Sequence, residues 1–121
     1  MSDFGEIELR DGIPIEKGVT LTRVYYNLGS YLGNNYASCE IIAKNALKDY
    51  PSNSYQEELS WLVFASKYQQ MVNSFEEKKI DRARDTQDEY YSFITEFPES
   101  KHRKEADKLF KEITKTLAKD E

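Results

Sequence analysis

The spacing of hydrophobic residues changes its period along this chain. In the opening stretch, EIELRDGIPIEKG, apolar and polar residues alternate on both sides of Asp11-Gly12, a strand-turn-strand pattern. A two-residue loop would put Ile7 and Leu9 on the face opposite Ile13 and Ile15. A three-residue loop, Arg10-Asp11-Gly12 with Gly12 left-handed, brings all four onto one face and is the preferred register. An isolated hairpin is marginal in water, and Pro14 weakens this one further. Residues 1–18 therefore read as a leader or arm, either a short β-hairpin that packs on something else or a flexible segment.

From Val19 the period becomes helical. Leu21, Val24, Tyr25, Leu28 and Leu32 recur at three and four residues, predicting a first helix that stops at Gly33. Asn34 caps a second helix with the stripe Tyr36, Cys39, Ile42, Ala43, Ala46, Leu47 and Tyr50, halted by Pro51. So short a connection makes the two an antiparallel hairpin. Ser54-x-x-Glu57 reads as a capping box opening a third helix that is apolar on two sides, with Trp61, Phe64, Ala65, Tyr68 and Val72 on one and Leu59, Leu62 and Val63 on the other. Ser74-x-x-Glu77 would cap a fourth, with the stripe Ile80, Ala83, Gln87, Tyr90, Ile94 and Phe97, ended by Pro98. The last helix carries Ala106, Leu109, Phe110, Ile113 and Leu117 on one side and charges elsewhere, as a terminal capping helix should.

One joint occurs twice. Tyr50-Pro51 and Phe97-Pro98 stand 47 residues apart (97 − 50), and each is followed by a glutamate eight residues beyond the aromatic, Glu58 and Glu105. The proline blocks continuation of one helix while a polar residue caps the next, so both joints turn the chain back. The predicted fold is all-α, with about five helices in antiparallel tetratricopeptide-like hairpins over residues 19–121. Helix pairs that are apolar on both sides bury themselves by stacking and present an extended binding surface. The spacing exceeds the usual tetratricopeptide period of about 34, which points to lengthened helices and an insertion near Asn73 to Lys79; HEAT-like pairs stay open.

Composition narrows the function. At 121 residues and 39% hydrophobic the chain has the size of one domain, and nine tyrosines and six phenylalanines argue for a folded core. A net charge of −5 opposes nucleic acid, and the basic cluster Lys101, His102, Arg103, Lys104 lies beside Glu99, Glu105 and Asp107, a solvated helix start. No apolar run approaches the roughly 20 residues of a membrane span, and the first residues lack the pattern of a secretory signal. Cys39, the single cysteine, falls on a buried stripe as a small core residue. His102, the single histidine, has no second histidine or nearby cysteine to complete a metal site and reads as an exposed structural residue. The carboxylate pairs Glu57-Glu58, Glu76-Glu77 and Asp88-Glu89 sit among helix-spaced lysines and arginines, and Gly29 and Gly33 do not follow a strand as a phosphate loop would. No catalytic residue, cofactor or metal is expected, and the chain reads as a protein-binding scaffold rather than an enzyme. Tyrosine serves both helix seams and interfaces. Tyr25 and Tyr90 are assigned to packing, and Tyr26, Tyr31 and Tyr91 are the candidate partner-binding residues.

The segments YYNLGSYLGNNYASC, ALKDYP and DEYYSFITEFPESKHRKEADKLF resemble the BamD family of outer-membrane assembly factors over roughly Thr20 to Leu117. The resemblance implies a tetratricopeptide-like lipoprotein at the periplasmic face of the outer membrane. Its expected partners are the barrel-forming subunit and other assembly lipoproteins, and this stretch would be the C-terminal, docking part. Met1 to Gly18 does not look like the family, and Cys39, mid-helix, cannot be its lipidated cysteine. The chain is then expected to be a piece of a longer member carrying an added leader, or a shortened relative that uses its arm for another contact. The alternative function is a free-standing helical-repeat module that binds a peptide or extended segment.

Overall fold

A computed structural model describes residues 13–119, and these are helical nearly throughout: α1 (Ile15–Leu28), α2 (Asn35–Asp49), α3 (Gln56–Val72), α4 (Glu76–Glu96) and α5 (Arg103–Ala118), with no strand among the described residues. The all-α, five-helix expectation holds. The chain divides into two compact units, residues 1–62 and 63–121, with the division falling inside α3.

In the first unit α1 begins at Ile15, four residues before the Val19 expected from the period, so Ile15 opens a helix rather than pairing in a strand. The remainder of the expected hairpin, residues 7–12, lies outside the described residues. α1 also stops early, at Leu28, because Gly29 adopts φ 57° and its N–H bonds back to Tyr25 O. A Cβ on Gly29 would come within 2.8 Å of the Tyr36 hydroxyl, so this glycine, not Gly33, ends the helix. The buried face of α1 is Gly18, Val19 and Thr22, and Thr22 folds its hydroxyl onto Gly18 O at 2.7 Å. The expected stripe was rotated: Val24 and Leu28 are exposed, and Leu32 lies beyond the helix, 89% exposed.

α2 follows its expected pattern. Asn34 Oδ1 accepts from the Ala37 N–H at 3.1 Å, and Cys39, Ala43 and Ala46 are buried. The bare face of Gly18, near the start of α1, lies against Ala46, near the end of α2, where a Cβ on Gly18 would stand 3.5 Å from that of Ala46; the two helices are therefore antiparallel and close. Tyr50 extends this seam by donating its hydroxyl to Ile13 O at 2.9 Å. Within α3 every position from Leu62 to Lys67 is buried, as are Leu59 and Met71, while Val72 is exposed.

In the second unit α4 and α5 pack together. α4 begins without a capping box. Its N-cap is Phe75 with no side-chain bond, and Ser74 instead donates to Gln70 O and accepts from the Arg82 guanidinium. Only three residues, 73–75, separate α3 from α4, so the length expected as an insertion lies in the 21 residues of α4 itself. Its buried face is Ala83, Thr86, Tyr90 and Phe93; Thr86 was missed because its hydroxyl is satisfied internally by Arg82 O, and Phe93 displaces the half-buried Ile94. α5 buries Ala106 and Ile113 on its single apolar face.

The two aromatic-proline joints have the same conformation. Tyr50 (φ −134°, ψ 68°) and Phe97 (φ −128°, ψ 64°) close α2 and α4 through N–H bonds to Ala46 O and Phe93 O. The N–H of Asn53 then bonds Tyr50 O at 3.2 Å, as Ser100 N–H bonds Phe97 O at 3.1 Å. Asn53 Oδ1 accepts from Tyr55 N–H just as Ser100 Oγ accepts from His102 N–H. The sequence repeat is thus a repeat of hydrogen bonds.

Candidate partner-binding site

The three candidate tyrosines fall in different settings. Tyr26, on α1, is half-buried, its ring edge-on to Tyr36 of α2 at 5.4 Å, so it seals the first helix pair. Tyr31 stands in the turn between α1 and α2, 67% exposed. Tyr91 belongs to the second unit, where it is exposed and leans edge-on to Phe110 and Tyr90, each at 5.5 Å. Tyr26 and Tyr31 share the first unit and Tyr91 is in the second.

Sequence reasoning missed what surrounds Tyr31. Residues 24–39 contain no Asp, Glu, Lys, Arg or His, in a chain that is 32% charged. Val24, Leu28, Tyr31 and Leu32, three of them assigned to a core stripe, are exposed together along the end of α1 and the turn leaving it. Leu32 has φ 59° between Gly29 and Gly33, both also at positive φ. A branched side chain seldom takes this left-handed region, and holding it there costs of order 1–3 kcal/mol. The signal available in the sequence was Gly29, which marks the helix end ahead of Leu32.

In the second unit the surface beside Tyr91 is fixed by a polar cluster. Tyr90 is stacked on Phe110 at 4.1 Å and donates its hydroxyl to Asp107 Oδ1 at 2.6 Å; the same oxygen accepts from Arg103 Nε at 3.0 Å. Burial, reinforced by the bond to Asp107, pushes the Tyr90 phenol up to about 12. The same bond, followed by the Arg103 guanidinium, holds the Asp107 carboxyl below its ordinary value. Arg103 also donates to Pro98 O at 3.1 Å, tying α5 to the joint before it. Burial likewise raises the Tyr68 phenol, with the charges of Glu112 and Glu105 adding to the effect.

A buried charge, Lys67, bonds Asp85 at 2.9 Å and lies 3.3 Å from Glu89, one turn apart on α4. Lys67 is thus neutralised from two sides, by a largely solvated Asp85 and a more sheltered Glu89. His102 is half-buried at the start of α5 rather than exposed, and Cys39 is fully buried. Among the described residues no group of three or more His, Cys, Asp or Glu side chains is placed to hold a metal ion, and no helix is long and apolar enough to cross a membrane.

Comparison with known proteins gives one family. A family model described as "YfiO: Outer membrane lipoprotein" matches residues 14–121. No curated protein and no solved structure matches the chain significantly.

Proposed function

This chain belongs to the YfiO family of outer membrane lipoproteins, and on that premise we propose that it is a non-catalytic scaffold of the outer-membrane β-barrel assembly machinery, docking partner proteins at the periplasmic face of that membrane. The family is the BamD-like one whose resemblance is carried by YYNLGSYLGNNYASC, ALKDYP and DEYYSFITEFPESKHRKEADKLF. The match starts at residue 14, so residues 14–18, set aside as unlike the family, fall within it.

The match over residues 14–121 is the observation that carries this reading. Two further features support it. Each unit is built on a helix pair, the architecture that binds partners through side chains on an extended surface. The exposed aromatic residues Tyr31 and Tyr91 have the chemistry of interface anchors. The barrel-forming subunit and other assembly lipoproteins are the proposed partners, with Tyr26 acting behind the surface through Tyr36.

The test is capture of the purified periplasmic domains of the barrel-forming subunit by the full chain, with Tyr31→Ala and Tyr91→Ala alongside. We expect the wild type to capture them and at least one variant to bind about tenfold more weakly with unchanged helical circular dichroism, as loss of an interface anchor predicts. A folded wild-type chain that captures nothing refutes the proposal.

A further inference from the structure

We propose that the uncharged surface formed by Val24, Leu28, Tyr31 and Leu32 is a seat for the apolar stripe of an amphipathic helix from another protein; this rests on the scaffold reading and names the chemistry of one docked partner.

Three observations select that occupant. The first is charge. Residues 24–39 carry none, and the ionic residues at either end are already paired within the chain. Arg23 forks onto Glu58 with two bonds of 2.6 Å, and Glu40 holds Lys44 at 2.7 Å. A phosphate-rich surface or a charged peptide would find no uncompensated partner here, whereas an apolar face would leave no charge buried and unpaired.

The second is geometry. Val24 and Leu28 are one helical turn apart on α1, the ridge into which a crossing helix packs its own i, i+3, i+4 side chains. No strand is present among the described residues to accept an added strand, so this surface recognises through side chains.

The third is the tip. Leu32 is held left-handed and almost wholly exposed, so its conformation is neither relieved by glycine nor offset by packing within its own turn. Beyond the last turn of α1, Tyr31 and Leu32 supply an anchor at the end of the ridge.

The probe is a synthetic neutral helix with leucines at i, i+3, i+4 and i+7 and serine or glutamine elsewhere, titrated against the full chain by fluorescence anisotropy. Parallel titrations use the same helix with glutamates or lysines flanking the stripe, and vesicles of phosphatidylcholine containing phosphatidylglycerol. The variants are Leu32→Gly, which removes the side chain while suiting its φ, and Leu28→Ser on the exposed ridge. We expect the neutral helix to bind, each variant to weaken it about tenfold, and the Tm of Leu32→Gly not to fall. Undiminished binding by both variants, preference for a charged helix or the vesicles, or self-association of the chain through this face overturns the inference. If the periplasmic domains are captured equally well by wild type and Leu32→Gly, and the neutral helix is not bound, the inference fails while the scaffold reading stands. Binding of the neutral helix through Leu32 without capture of those domains supports the inference and sinks the scaffold reading.

Discussion

Replacing Tyr90 by phenylalanine removes one oxygen and leaves the ring where it is. The stack on Phe110 at 4.1 Å and the tilted contact with Phe64 at 5.9 Å survive, while the 2.6 Å bond to Asp107 is lost. A hydrogen bond to a charged acceptor contributes about 1.5–3 kcal/mol. The Asp107 side chain is 46% exposed, so water recovers part of that, and we expect Tyr90→Phe to cost about 1–1.5 kcal/mol at neutral pH, a fall in Tm of roughly 4–6 °C. The pH dependence is the sharper consequence. Folded Tyr90 keeps its proton to about pH 12, whereas an unfolded tyrosine releases it near 10. Wild-type stability from this residue is complete below pH 10 and is lost as pH climbs from 10 towards 12; the variant has no such proton to lose. Asp107 has the opposite sign: its carboxyl is depressed, so its contribution is present above the ordinary carboxylate range and disappears as pH falls through the folded value. The stability difference between wild type and Tyr90→Phe should therefore be widest in the neutral range and narrow on both sides. Urea unfolding of both proteins from acid to alkaline pH measures it. A difference that stays constant across the range, or none at neutral pH, refutes the coupling of Tyr90 to Asp107.

Gly29→Ala forces φ 57° on a residue with a side chain and drives its Cβ to 2.8 Å from the Tyr36 hydroxyl; thermal unfolding should show a loss of about 1–2 kcal/mol or more. At Lys67, which faces Asp85 and Glu89 from a buried position, methionine should be tolerated within about 1 kcal/mol, because Asp85 is mostly solvated and the aliphatic stem is replaced. Lys67→Glu instead adds a third carboxylate with no cation to meet it and should cost about 3 kcal/mol or more, read as loss of the folded circular dichroism signal near neutral pH.

How far the sequence was legible depends on what each feature answers to. Helix number, the Asn34 cap and the Pro51 and Pro98 stops are local events, decided by a few neighbouring residues, and were readable. The face of α1 was not. A stripe of Leu21, Val24, Leu28 and Leu32 is a better helical pattern than Gly18, Val19 and Thr22, yet α1 turns its small residues towards α2 because Gly18 and Ala46 allow the backbones to approach. Periodicity finds an apolar stripe without saying whether this chain or another one covers it. Tyr31 and Tyr91 are exposed; Leu32 was assigned to a core because its left-handed backbone has no signature in side-chain spacing.

The twin joints at Tyr50 and Phe97 have a consequence for how this chain comes to be folded. Every bond that the two joints share spans four residues or fewer, so neither joint waits for a distant part of the molecule to arrive. Loops of that length close in well under a microsecond, far faster than packed helices find one another. The joints can therefore be set while the helices on either side are still searching, and each helix begins its search with its starting direction already fixed.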